Sequence, residues 1–546
     1  MNKRRWILLI VVVAGVSFAF TRPAERYFEI AKSLDIFATL FKEVNAHYVD
    51  EVEPKKLINT GIDNMLQSLD PYTNYIPEED LESFQILTTG QYAGIGALIN
   101  VVNNKTVVTY PYRDFPAYKA GIHVGDEIIS INGKNMIGKL PSDITSSLKG
   151  KARTEVDLKV RRAGVGDLSF KIKREKIFIN NISYFGMIGT NVGYIKLDEF
   201  TPGAAREVSD AVQTLKAQGA QKLILDLRDN LGGLMHEGIN IVNLFIPKNQ
   251  EVVSTKGKLK EWNKTYSTLN NPLDTEIPLA VLTSEVSASA AEIVAGSLQD
   301  YDRAVLVGKK TFGKGLVQTT RELPFGAELK VTVAKYYIPS GRCIQALDYA
   351  HRNADGSVSK FADSLRNEFQ TRGGRKVFDG NGIDPDVMVK DSYLGTLATE
   401  LIQQGLIFEY ASKYCGEHPE KPDLRTFRLS DAEYAKFTEW MKRQKFTYQT
   451  GVETTARELT QAAKQERYFS ELESDLNELQ KRIETNKGTE LSKSKKEITE
   501  VLEQQIAFHY ALAEGEAEVS LPRDKTVGEA IRILGDANRY KAILAP

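Results

Sequence analysis

Apolar and polar positions follow three different rhythms along this chain, and each predicts a different kind of element. Residues 222–226 (Lys-Leu-Ile-Leu-Asp), 278–283 and 304–308 are short apolar runs bounded by polar or glycine-containing turns. That is the pattern of buried strands. Residues 316–320 predict another strand, and 288–299 carry helix formers with apolar residues at helical spacing. A rhythm of two follows the glycines of Tyr92-Ala-Gly94-Ile-Gly96-Ala-Leu-Ile and returns in residues 151–161, with Asn132-Gly133 marking a tight hairpin turn. The helical rhythm places Ile36, Phe37, Leu40, Phe41 and Val44, then Leu57, Ile62 and Leu66, on helices within residues 33–69. Residues 395–413, 429–445, 452–485 and 497–513 predict further helices dense in charge, and the lysine-rich stretch 487–496 reads as a solvated connector.

A chain of 546 residues is too long for one hydrophobic core, so three or four domains are expected. The formal net charge of −1 argues against a nucleic-acid surface or a polyanionic substrate. The six histidines are scattered and no zinc-type spacing occurs, so neither a metal nor another cofactor is expected. Cys343 and Cys415 are the only cysteines; one bridge in an oxidising compartment and two free thiols are both open. Asn2-Lys-Arg-Arg5 followed by the apolar stretch from Trp6 to Phe20 reads as a signal peptide or an uncleaved signal anchor. The basic flank stays in the cytoplasm, which sends the rest of the chain to a periplasm or equivalent envelope space, with an inner-membrane anchor if the signal is retained.

The chemistry concentrates in three segments. In Thr283-Ser-Glu-Val-Ser287-Ala-Ser289-Ala-Ala-Glu292, Ser289 falls at a strand-to-helix turn with glutamate three residues on, the signature of a capping box. A capping serine usually does nothing more. A serine becomes a nucleophile only with a base beside it, and a lysine can be that base when burial or crowding lowers its pKa. Gly313-Lys314-Gly-Leu-Val-Gln318 supplies one: on a strand, Lys314 and Gln318 share a face, where the amide can orient the amine. In Asp226-Leu-Arg228-Asp-Asn230-Leu-Gly232-Gly233 an apolar strand ends in paired glycines, which can turn N–H groups toward a reacting carbonyl.

These segments, with Gly193-Tyr-Ile-Lys-Leu-Asp-Glu-Phe200 and Ile338-Pro-Ser-Gly-Arg342, resemble the carboxyl-terminal processing peptidases, family S41 of the serine proteases. The resemblance covers about residues 35 to 390. It implies a crotonase/ClpP-like α/β protease core, with Ser289 as nucleophile, Lys314 as general base and Gln318 as supporting amide. It also implies an oxyanion hole from the N–H of Ala290 and that of Gly232 or Gly233. The family often has serine where this chain has Ala291.

Residues 86–178 resemble a PDZ domain, carried by Pro116-Ala-Tyr-Lys-Ala-Gly121-Ile-His-Val-Gly125-Asp-Glu-Ile-Ile-Ser-Ile-Asn132-Gly133. Its carboxylate-binding turn would be Gly94-Ile95-Gly96-Ala97, capturing the C-terminus of a protein or peptide substrate while that peptide extends the sheet edge. The expected architecture is multi-domain α/β and α+β. It comprises a signal segment (1–24), an N-terminal helical segment (25–85), the PDZ domain (86–178), the protease core (179–394) and a C-terminal helical domain (395–546). In the resembled family the N-terminal segment assembles oligomers, which makes a homodimer the expected partner. Two alternatives stand beside the Ser-Lys peptidase: a Ser-His hydrolase using His236, and a catalytically silent PDZ binding protein.

Overall fold

The computed structural model describes residues 27–353, 355–390 and 394–545; the expected signal segment lies outside them. The chain divides into two compact units, residues up to 76 with 320–331, and 77–319 with 332–546. In the first unit residues 27–47 and Pro54–Gln67 are helical, and the strand Asn74–Ile76 pairs antiparallel with residues 328–330. Phe28, Leu34, Ile36, Phe37 and Leu40 stay exposed on the first of these helices. Among the described residues no helix is long and apolar enough to cross a membrane.

The second unit begins with the PDZ fold. Its antiparallel sheet runs in the order Ala97–Val102, Lys105–Pro111, Glu127–Ile131, Glu155–Arg162, Gly166–Lys173. Ile95, Val108, Ile128, Ile144, Val156 and Ile172 fill its core. Asn132 and Gly133 both have positive φ, 49° and 76°, as the predicted hairpin turn requires. Among the described residues the strand Ala97–Val102 pairs on one side only and therefore presents a sheet edge.

The protease core is a six-stranded sheet ordered Ile182–Ile188, Val192–Leu197, Lys222–Asp226, Leu279–Thr283, Val305–Gly308, Val387–Met388. The first pair is antiparallel and the rest are parallel. Parallel strands are covered on both faces, which is why their sequences read as continuous apolar runs. One face is packed by the helices Ala204–Ala217, Met235–Phe245 and Ala290–Asp300. The other is packed by the helix Lys525–Gly535, near the end of the chain, whose Val527, Ala530, Ile533 and Leu534 lie against Tyr194, Ile224, Leu282 and Val307.

The C-terminal region is helical as expected, with breaks where local chemistry demands them. Gly405, at φ 73°, separates Thr396–Gln403 from Leu406–Glu417. Arg467, at φ 67°, falls between Gly451–Gln465 and Phe469–Gly488. The connector expected at 487–496 is instead mostly helical, and Lys487 is tied to Glu453 at 2.9 Å. The last long helix, Lys495–Ser520, is kinked at Ala511 and Leu512.

Candidate active site

The site forms where the parallel strands end. Leu279–Thr283 runs into a turn whose last residue, Ser289, has φ 57° and ψ −115°, a strained conformation for any side chain but glycine. The helix Ala290–Asp300 starts immediately after it. Of the predicted capping box, the glutamate half is a 2.9 Å hydrogen bond from the Ser289 N–H to Glu292 Oε2. The serine half is loose: the hydroxyl lies near the Glu292 N–H without a cap hydrogen bond of normal geometry. Ser289 is half-buried, so its side chain keeps contact with solvent at the start of the helix. Ser287 differs sharply, since its buried hydroxyl donates to Leu227 O at 2.8 Å and accepts from the Ser284 N–H at 2.9 Å.

Glu292 is 0 % exposed and its carboxylate gathers the site. Oε2 accepts from the N–H of Ser289 and from that of Lys314, both at 2.9 Å. Oε1 accepts from the Gly313 N–H at 2.7 Å and from the Thr311 hydroxyl at 2.5 Å. Burial pushes this carboxyl up to about 7 against the pull of those four donors. The sequence revealed Glu292 only as a capping residue; its contact with the 311–314 segment depends on the fold.

Lys314 does not lie on a strand. It sits two residues ahead of Leu316–Glu322, because the N–H groups of Gly313 and Lys314 go to Glu292 and that of Gly315 goes to Gln345 Oε1 at 2.8 Å. The expected shared strand face for Lys314 and Gln318 is thus replaced by an irregular segment leading into the strand. The Gln318 amide donates to Thr332 Oγ1 at 3.1 Å, which fixes its orientation and leaves its carbonyl oxygen as an acceptor.

The loop of residues 226–233 lies against the serine. The Ala288 N–H donates to Asn230 O at 2.9 Å, and Asn230 Nδ2 donates to Leu197 O at 2.7 Å. Gly232 is packed so tightly that a Cβ there would meet Ala288 O at 2.6 Å and Ser289 Cβ at 2.7 Å. Its N–H is donated to Asn230 Oδ1 at 2.8 Å, so Gly232 is not the free donor of the expected pair. The N–H groups of Gly233 and Ala290 make no hydrogen bond among the described residues. At the start of the loop the Arg228 guanidinium clasps Asp226 at 2.6 Å, and the Tyr194 hydroxyl donates to the same carboxylate at 2.7 Å. Burial raises the Asp226 carboxyl, but Arg228 and these hydrogen bonds outweigh it and hold the group below its ordinary value. The sequence motif contained Asp226 and Arg228 without assigning them a part.

His236 is turned away from this arrangement. Its side chain is 64 % exposed and lies 3.6 Å from Glu237 Oε1, whose carboxylate also takes the N–H groups of Gly203 and Ala205. Among the described residues no group of three His, Cys, Asp or Glu could hold a metal ion. Cys343 and Cys415 are free thiols, and burial pushes both up, Cys415 to about 12.

In the PDZ unit, Gly94 ends the strand Gln91–Gly94 and Ala97 begins the edge strand. Between them Ile95 is buried with its carbonyl taken by the Ala117 N–H at 2.8 Å, and Gly96 has φ 76°. The four expected residues therefore form a turn leading directly onto the open edge. A recess of about 1120 Å³ is lined by Tyr112 and Arg113 of this domain, by Arg228 and Lys309 of the core, and by Glu514 and Glu516 of the kinked helix. Neither Ser289 nor Lys314 lines it.

Together, a half-buried serine on a strained turn, a lysine segment tied to it and a glycine loop against it define a serine-type peptidase core coupled to a peptide-binding module. Residues 191–350 match the family described as Peptidase family S41, 107–162 match a PDZ domain, and 397–534 match the helical domain described as "Probable PDZ-protease, C-terminal helical domain". A "Probable CtpA-like serine protease" of Staphylococcus aureus (strain COL) is 36% identical over 346 residues, 62% of this chain and 68% of that protein. The "Carboxy-terminal processing protease CtpA" of Bacillus subtilis (strain 168) is 35% identical over 56% of this chain and 65% of that protein. The solved photosystem II D1 C-terminal processing protease is 25% identical, with a TM-score of 0.35 over 69% of this chain and 97% of that one. The chain belongs to peptidase family S41, as a carboxy-terminal processing serine protease with a PDZ domain.

Proposed function

We propose that this protease cleaves proteins near their C-termini with Ser289 as nucleophile and Lys314 as general base. The observation that carries the reading is the single Glu292 oxygen accepting the N–H groups of both residues, which ties the serine turn and the lysine segment together. The unprotonated Lys314 amine takes the hydroxyl proton as Ser289 Oγ attacks the scissile carbonyl carbon. The N–H groups of Ala290 and Gly233 receive the developing oxyanion, aided by the positive end of the helix Ala290–Asp300. The Lys314 ammonium returns its proton to the leaving amine, and a water deprotonated by the same amine then hydrolyses the acyl-enzyme. Gln318 orients the lysine through its carbonyl oxygen, its amide being anchored on Thr332.

The substrate's C-terminal carboxylate docks at residues 94–97 and its backbone extends the edge strand Ala97–Val102. Envelope proteins are the substrates, following the basic and apolar N-terminal signal of the sequence, which either is removed or anchors the chain to the inner membrane. The exposed apolar residues Phe28, Leu34, Phe37 and Leu40 suit a homodimer contact.

Cleavage of a peptide with a free C-terminus tests the reading. Ser289→Ala and Lys314→Ala each abolish hydrolysis with the fold intact by circular dichroism, and Gln318→Ala impairs it less. Near-normal turnover in Lys314→Ala would overturn the dyad. Activity lost in His236→Ala and kept in Lys314→Ala would favour the histidine alternative, and a wild-type chain that binds the peptide without cutting it would be a silent PDZ protein.

A further inference from the structure

The helix Lys525–Gly535 does more than cover the bare face of the core sheet, because its N-cap reaches the loop beside the serine. Asp524 Oδ1 accepts the N–H groups of Thr526 and Val527, at 2.8 and 3.0 Å, and so caps the helix. Its other oxygen, Oδ2, lies 2.8 Å from Nη1 of Arg228. The remaining guanidinium edge of Arg228 is spent on Asp226, with Nη2 to Oδ2 at 2.6 Å and Nε at 3.0 Å from both oxygens. Arg228 is thereby gripped from two sides, once by the strand that leads into the loop and once by the far end of the chain.

From Arg228 the connection to the serine is short and made of hydrogen bonds. The preceding carbonyl, that of Leu227, accepts the Ser287 hydroxyl at 2.8 Å, and the Asn230 carbonyl accepts the Ala288 N–H at 2.9 Å. Asn230 Oδ1 holds the Gly232 N–H, and Gly232 abuts Ser289 Cβ and the Ala290 nitrogen. The loop thus links Arg228 through hydrogen bonds and close packing to the place where Gly233 and Ala290 would meet an oxyanion.

We propose that Asp524 is a positioning residue of the peptidase: by holding the Arg228 guanidinium it fixes the 226–233 loop against Ser289, so the C-terminal helix completes the active site from within the chain. The inference rests on Ser289 being the nucleophile and the loop supplying an oxyanion donor. It gives the C-terminal domain a part in turnover and makes Asp524 dispensable for substrate capture.

Full-length Asp524→Asn tests it. The amide keeps an oxygen for the helix cap and removes the charge facing Arg228. Turnover of a tailed peptide is expected to fall about tenfold or more, as small misplacements of catalytic groups do. KM stays within about twofold and the melting temperature within about 2 °C, because capture and capping are untouched. In an Arg228→Gln background the same change adds nothing further, since the partner is already gone. Should Asp524→Asn also lower the melting temperature, Asp524→Ser, which keeps the cap but not the reach, must show the same kcat loss. Unchanged kcat in Asp524→Asn, or an equal loss in the Arg228→Gln background, overturns the assignment. Ser289→Ala separates the two levels: if it abolishes turnover while Asp524→Asn does not, only the Asp524 proposal fails, and if it keeps turnover, both fail.

Discussion

Ser289 and Lys314 donate their backbone N–H groups to one oxygen of Glu292, each at 2.9 Å. A buried carboxylate is costly unless its lone pairs are filled, and here four donors fill them. The N–H groups that help to stabilise the buried charge thus belong to the two segments whose spacing that carboxylate sets.

Glu292→Gln should therefore be nearly as damaging as Glu292→Ala. An amide can accept on one side only, and its NH₂ would face either the N–H groups of Ser289 and Lys314 or that of Gly313 beside the Thr311 hydroxyl. Loss of the network is expected to destabilise the chain by about 2–4 kcal/mol and to lower kcat/KM by about a hundredfold or more. Denaturant titration and peptide cleavage on both variants check this; a fully active Glu292→Gln would mean that the acceptor geometry is not needed.

Gly232→Ala tests the approach of the glycine loop. The added methyl would have to fit within 2.6 Å of Ala288 O at a φ of 92°, where L-residues are strained. Turnover should drop by about a hundredfold, the scale on which oxyanion donors act, with substrate binding to the PDZ domain retained. Binding of a labelled peptide by Ser289→Ala/Gly232→Ala, measured beside Ser289→Ala, separates the two effects.

The proposed capture of a carboxylate by residues 94–97 predicts a dependence on the substrate's terminus rather than on its cleavage site. Amidating the C-terminus of an otherwise identical peptide should raise KM about tenfold or more and leave kcat closer to its original value. Equal KM values for the acid and amide forms would remove the carboxylate from the recognition scheme.

His509 gives the contact between PDZ and helical domains a pH dependence. Its Nε2 lies 2.9 Å from the Ser412 hydroxyl, and a Cβ on Gly125 of the PDZ domain would touch both residues. Burial lowers the imidazole to about 4, so the fold favours the neutral ring. The associated stabilisation is present above the ordinary value of about 6.5 and is lost as the pH falls through about 4, at most about 3 kcal/mol in all. Urea unfolding followed from pH 7 to pH 4 should show this slope in the wild type and a shallower one in His509→Gln; identical slopes would exclude His509 as its source.

Much of this protein was legible in its residues. The apolar runs at 222–226, 278–283 and 304–308 read as buried strands, Asn132-Gly133 as a turn, and Ser289 with Glu292 as the start of a helix. Local spacing carries such information because strand, turn and cap are made by neighbours in sequence. Lys314 shows where that ends: its segment was read as a strand because the pattern matched, yet its N–H groups belong to a carboxylate far along the chain. The same holds for the helix Lys525–Gly535, whose apolar stripe says that it packs but not on what.

The sequence alone therefore determined the elements, the domain types and the residues capable of chemistry. Tertiary structure decided which of them meet. It spent the Ser287 hydroxyl and the Gly232 N–H on the scaffold, set the Ser289 and Lys314 backbones on one carboxylate, and brought Asp524 to Arg228. Apart from the Gly232 N–H, which turns back to Asn230 two residues away, those choices depend on contacts between residues tens to hundreds of positions apart, and only the closing of the core sheet between its two helical layers makes them.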